Sequence, residues 1–121
     1  MESLASSSPD FDCEVVISPF GGVTGKWDFN YSGKIITFVN LVMELQYRKN
    51  FLFAWEEVDS ETFIYAGGQG SNESNQSYFM PTDAGQYRVK VSGTITNTTG
   101  SNYIIHYSGQ KYFDGEYTVG G

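Results

Sequence analysis

Phe79-Met80-Pro81-Thr82-Asp83-Ala84-Gly85-Gln86-Tyr87-Arg88-Val89-Lys90-Val91 decides the fold, because a D-x-G-x-Y turn there runs straight into a strand. Tyr87, Val89 and Val91 fall on one face of that strand, and Gln86, Arg88, Lys90 and Ser92 on the other. Successive side chains of an extended backbone point to opposite sides, so a strict period of two marks a strand with one buried and one wet face. The segment argues for an all-β architecture and for no particular chemistry.

Outward from this strand, turn residues recur about every ten positions, the spacing of sandwiches and barrels. Residues 14–18 read as a first strand, closed by Pro19 and the Gly21-Gly22 pair. In 26–31, Trp27, Phe29 and Tyr31 alternate with Asp28 and Asn30, and Ser32-Gly33 predicts a hairpin into a strand from Lys34. Residues 35–48 alternate as a strand, although Phe38, Leu41, Val42 and Leu45 also fit helical spacing. The β-branched first half and the missing helix cap favour one long strand, kinked or bulged near Asn40. Residues 51–58 are expected as a strand with Phe51, Phe53 and Trp55 on one face. A loop at Asp59-Ser60-Glu61, a short strand at 62–65 and a polar exposed loop at 66–75 follow. Strands at 77–80, 86–96 and 103–107, and a last one at 111–119 split by Asp114-Gly115, complete the reading. So many strands exceed one flat sheet, and an antiparallel two-sheet β-sandwich buries them best. Residues 1–12 are expected as a flexible lead and 13–121 as a single domain.

Composition narrows the function classes. The chain has 121 residues, enough for one core, with 14 Gly, 9 Tyr and 9 Phe against 3 Pro. A net charge of −7 with only 7 Lys and Arg argues against nucleic acid, whose affinity comes from cations neutralising phosphates, and disfavours an anionic membrane surface. No apolar run approaches the roughly 20 residues that span a bilayer. The longest, 35–45, is broken by Thr37, Asn40 and Glu44, so no membrane insertion is expected. Residues 1–9 carry neither the basic nor the apolar part of a signal peptide. An extracellular or cell-surface location then implies a leader already removed. Cys13 is the single cysteine, so packing alone must hold the fold. An intermolecular disulfide or reactive thiol is the alternative role for it.

Asp83-Ala84-Gly85-Gln86-Tyr87 resembles the turn before strand F of immunoglobulin-like domains, where the tyrosine hydroxyl bonds back to the turn as a tyrosine corner. Phe53-Ala54-Trp55 resembles the strand that carries the core tryptophan of those domains. Phe79-Met80-Pro81-Thr82 is similar to bacterial Ig-like and PKD-like modules. The resemblance covers 51–91 and implies structural roles for Asp83, Gly85, Tyr87 and a buried Trp55. Val89 stands where an antibody-type domain has its second cysteine, so the implied fold is a disulfide-free Ig-like sandwich. A jelly roll, which can carry the same short motif, is the alternative.

Motifs for catalysis are mostly missing. One histidine, His106, is too few for a common zinc site, and a Ser-His-Asp triad would depend on it alone. Its place in a strand, on the face opposite Ile105 and Tyr107, reads as surface or edge. Gly67-Gly68-Gln69-Gly70 lacks the Lys-Ser/Thr pair of a phosphate loop. Carboxylates are denser: Asp10, Asp12 and Glu14 alternate, and Glu56, Glu57, Asp59 and Glu61 crowd one strand end and its loop. Those four are candidate calcium ligands, with solvated charges as the bland alternative. Four N-x-S/T sequons, at Asn30, Asn72, Asn75 and Asn97, agree with an extracellular surface.

The aromatic load exceeds what such a core needs, and Trp27, Tyr31, Tyr103, Tyr107 and Tyr112 flank polar turns. They are the candidates for stacking on sugar rings or anchoring a partner. The expected function is a non-catalytic secreted or cell-surface interaction module. The alternatives are a carbohydrate-binding sandwich with structural calcium and, less well supported, a small enzyme or enzyme inhibitor. A protein or glycan at a cell surface is the expected partner, with a homodimer through an edge such as 103–107 as a further option. A flat row of exposed aromatics on one sheet would favour the glycan, and a polar face with one apolar patch the protein.

Overall fold

The computed structural model describes residues 9–18, 20, 22–68 and 70–116. Its strands are β1 (Asp10–Ile17), β2 (Val23–Asn30), β3 (Ile36–Arg48), β4 (Glu56–Ala66), β5 (Asn72–Phe79), β6 (Gly85–Asn97), β7 (Gly100–Tyr107) and β8 (Lys111–Phe113). They form the two antiparallel packed sheets of a β-sandwich, as the alternation predicts. The smaller sheet has the order β1-β2-β5 and the larger β4-β3-β6-β7, with β8 also on β6.

The core lies where the inner phases of the strands meet. β3 contributes Val39, Leu41, Met43 and Leu45, and β6 contributes Tyr87, Val89, Val91 and Ile95, all buried. Across from them β2 presents Val23, Trp27 and Phe29, and β1 presents Cys13 and Val15. Each such side chain, taken fully out of water, stabilises by about 1.5–3 kcal/mol. Trp27 is the hub: it stacks on Phe29 at 5.6 Å and Phe11 at 6.2 Å, and meets the edge of Phe63 at 5.5 Å. Its Nε1–H has no partner among the described residues, so packing alone holds the ring. Gly25 lets the sheets close here, since a Cβ on it would stand 2.5 Å from Met43 Sδ.

The turn into β6 is built as its sequence suggests. The Tyr87 hydroxyl donates to the Asp83 carbonyl at 2.6 Å, and its ring packs against Tyr47 and Phe113. Gly85 is needed because a Cβ there would meet the Tyr47 ring at 2.6 Å.

Several local expectations fail. Ser32-Gly33 does not close a hairpin, because β2 and β3 belong to different sheets. The segment between them crosses over the core with Tyr31 buried beneath it, and Ile36 N–H reaches the Gly70 carbonyl at 2.9 Å. Residues 51–55 form a loop rather than a strand, and Asp59-Ser60-Glu61 lies inside β4. Being an edge strand exposed along most of its length, β4 tolerates the charges that read as a loop. The irregularities of β3 fall at Leu45/Gln46 against β4 and at Ile36/Phe38 against β6, while Asn40 stays in register with both neighbours. Finally, β1 begins at Asp10, and β5 at Asn72 within the expected loop. The expectations for 1–8, Pro19, Gly21, Gln69 and 117–119 lie outside the described residues.

Candidate functional site

Residues paired across antiparallel strands share a face, so the register assigns every outward side chain of the larger sheet. Arg48 lies opposite Gln86, Gln46 opposite Arg88, and Glu44 opposite Lys90. On the far side of β6, Tyr103 lies opposite Thr94, Ile105 opposite Ser92, Tyr107 opposite Lys90 and Tyr112 opposite Gln86. Three of the five aromatic candidates therefore stand on one outer face, with exposures of 69% for Tyr103, 46% for Tyr107 and 64% for Tyr112. At about 3.3 Å per residue, each tyrosine is roughly 13 Å from the next in line.

Tyr107 and Tyr112 share this face only because the edge is broken between β7 and β8. Lys90 pairs with Tyr107 and Gln86 with Tyr112, so four steps along β6 oppose five along the edge. The extra residue is absorbed beside Ser108, whose hydroxyl accepts the Val89 N–H at 2.9 Å while its own N–H donates to the Val89 carbonyl at 2.9 Å. Such a bulge keeps both rings outward where an unbroken strand would turn one of them in.

Trp55 joins the same face from the loop after β3, a correction to its expected place in the core. It is half-exposed, and the guanidinium carbons of Arg48 and Arg88 each lie 4.4 Å from its ring centroid. Arg88 also lies 4.6 Å from the centroid of Tyr107. Glutamines fix both arginines: Arg48 Nε donates to Gln86 Oε1 at 2.6 Å and its Nη2 to Gln110 Oε1 at 2.9 Å, while Arg88 Nε donates to Gln46 Oε1 at 2.7 Å. Burial first, and the neighbouring Arg48 charge, pull the Arg88 pKa below its ordinary value against the opposing influence of Tyr107. At the loop tip Phe51, Leu52 and Phe53 are exposed by 75%, 77% and 52%, in a turn closed by Leu52 N–H to Asn50 Oδ1 at 2.9 Å.

The other two aromatic candidates are corrected. Trp27 in β2 and Tyr31 just after it are both buried, Tyr31 with its hydroxyl on Asn102 Oδ1 at 2.6 Å. The carboxylate candidates do not converge: by register Glu57 faces outward with Gln46, while Glu56, Asp59 and Glu61 share the opposite phase with Tyr47, Leu45 and Met43. Among the described residues no three His, Cys, Asp or Glu side chains gather where a metal ion would sit. His106 is half-buried, its ring 5.6 Å from Phe11.

The outer face of the smaller sheet is of another kind. Asp10, Asn30 and Asn72 form one row across it, Asp12, Asp28 and Ser74 the next, and Glu14, Lys26 and Gln76 the third. Open, polar depressions lie over these rows. The sequon residues Asn30, Asn72 and Asn75 are exposed, whereas Asn97 is buried, its Oδ1 accepting the N–H groups of Thr99 and Gly100.

The arginine, glutamine and tryptophan cluster is absent from the sequence-level candidates. Its signal was available only in part, as Arg88 and Arg48 on the wet phases of two strands. No family model matches the chain, and comparison with curated proteins and with solved structures likewise finds no match.

Proposed function

We propose that the chain is a non-catalytic, secreted or cell-surface binding module that takes a saccharide chain across the outer face of its larger sheet. The observation that carries this reading is the line of Tyr103, Tyr107 and Tyr112 on one exposed face, with Trp55 braced beside it. Sugar rings present an apolar C–H face, and rigid aromatic rings offer large contact area at small entropic cost. Tyrosines spaced along a flat sheet suit an extended chain rather than a small molecule enclosed in a pocket. A disulfide-free Ig-like scaffold is supported by the strand order: β1-β2-β5 facing β4-β3-β6-β7 follows the succession A-B-E against C′-C-F-G. The tyrosine corner then leads into β6, in the place of strand F. Exposed sequon asparagines support the extracellular location.

Affinity electrophoresis against a panel of soluble polysaccharides tests the reading. Retardation by a glycan, lost in Tyr107→Ala, upholds it; no retardation by any member of the panel overturns it. A second reading is favoured by one other feature, the exposed Phe51-Leu52-Phe53 tip, which suits an apolar pocket on a protein partner. Pull-down from the source cell surface with the wild type and with a Phe51→Ser/Leu52→Ser variant separates the two, since the variant should lose a protein partner and keep the glycan.

A further inference from the structure

Within an acidic chain, the aromatic face concentrates cations. Arg48, Arg88 and Lys90 lie on it together, and the carboxylates nearest by register are Glu44, opposite Lys90, and Glu57, opposite Gln46. Lys90 thus has a facing carboxylate, while both guanidiniums are bonded to neutral amide oxygens. A guanidinium has five N–H donors. These bonds engage two on Arg48 and one on Arg88. Among the described residues, two arginines stacked on one indole are oriented by bonds to neutral glutamine oxygens and by no ion pair. Trp55 and Tyr107 limit the motion of Arg88, so little rotamer entropy remains to be lost on binding. The fork of an arginine matches the two oxygens of a carboxylate, and bonds between ionised partners are about twice as strong as neutral ones.

We propose that the saccharide taken by this face is acidic, a uronic-acid chain whose carboxylates are held by Arg88 and Arg48 while its rings stack along Tyr103, Tyr107 and Tyr112. This rests on the glycan-binding reading above and narrows it to one chemical class. Phosphate-rich nucleic acid is a poorer fit, because its affinity scales with the number of phosphates neutralised and this face offers three cations, Arg48, Arg88 and Lys90.

The test sets polygalacturonate, alginate and hyaluronate each beside its methyl-esterified form, with neutral glucan, xylan and mannan as a third set. At least one free acid should retard the protein and its ester bind about tenfold more weakly, the scale of a charge-assisted hydrogen bond. Arg88→Gln and Arg48→Gln should erase the preference for acid over ester, whereas Tyr103→Ala should weaken both forms alike. Arg88→Lys, which keeps the charge and loses the fork, should recover only part of the preference. Far-ultraviolet circular dichroism verifies that each variant is folded. Equal binding of acid and ester, a preference surviving in the double glutamine variant, or binding to neutral glycans alone overturns the acidic assignment while leaving glycan binding in place. Silence from all three sets overturns both.

Discussion

The two outer faces of this sandwich are made from the same alternating strands and yet differ in every property that bears on binding. Over the three-stranded sheet lie Asp10, Asp12, Glu14 and Asp28 among Asn, Ser and Gln, with Asp12 directly opposite Asp28. Over the five-stranded sheet lie two arginines bonded to neutral glutamines, a half-exposed tryptophan and a line of tyrosines. Like charges facing each other across strands are kept apart by solvation and repel a polyanion. Cations pressed against aromatic rings do the reverse, because the rings displace water and strengthen local electrostatics. The chain's net charge of −7 is therefore spread unevenly over the two faces.

The comparison breaks most visibly through the two tryptophans. Trp27→Ala is expected to destabilise by about 3–5 kcal/mol, since it empties the centre of the core, whereas Trp55→Ala should cost under about 1 kcal/mol. Urea denaturation of the two variants decides the matter, and the reverse ranking would mean that the faces are wrongly assigned. Cys13 sharpens it next. Burial, and after it the charge of Asp12, pushes its thiol from 9.0 up to about 12. An acid whose folded pKa lies above its unfolded one contributes full stability below pH 9 and loses it as pH climbs toward 12. The melting temperature should fall over that window, and less so in Cys13→Ala. A thiol-reactive dye at pH 8 should label the wild type only on unfolding.

On the larger sheet, Tyr107→Ala and Tyr112→Ala should each weaken glycan binding by about five- to tenfold while leaving stability within about 0.5 kcal/mol. Titration followed by Trp55 fluorescence reads the first and thermal melting the second. The smallest effect is expected on the acidic side. Asp28→Asn relieves the facing pair and should raise stability by roughly 0.3 kcal/mol without altering retardation on any glycan. A loss of binding in that variant would move the site to the other face.

Much of the scaffold could be read directly from residue order. Tyr87, Val89 and Val91 announced their burial by phase alone, and the turn ahead of them announced its hydroxyl bond. Phase says which side of a strand a residue takes but not which sheet the strand joins. Ser32-Gly33 has the chemistry of a tight turn and yet carries the chain from one sheet to the other, because Trp27, Phe29 and Tyr31 must all reach the shared core. The same gap exchanged the tryptophans. Trp27 had the clearer core signal, two aromatic neighbours in phase, whereas Trp55 meets Arg88 only through a pairing of β3 with β6 that no local pattern encodes. Charge misled in a different way at Glu56, Glu57, Asp59 and Glu61. Four acids in six positions look like a loop, but an edge strand with little to bury accepts them.

The broken edge beside Ser108 carries an evolutionary consequence. Connections between strands usually absorb insertions and deletions freely. This one does not, because its length sets the parity of everything that follows. Removing a single residue from 108–110 would rotate the last strand by half a turn, exposing Phe113 and sending Tyr112 toward the interior. Relatives of this chain should therefore vary in the identity of the residues at 109 and 110 but hardly in their number. A length change there should occur only where the aromatic on this face has moved with it.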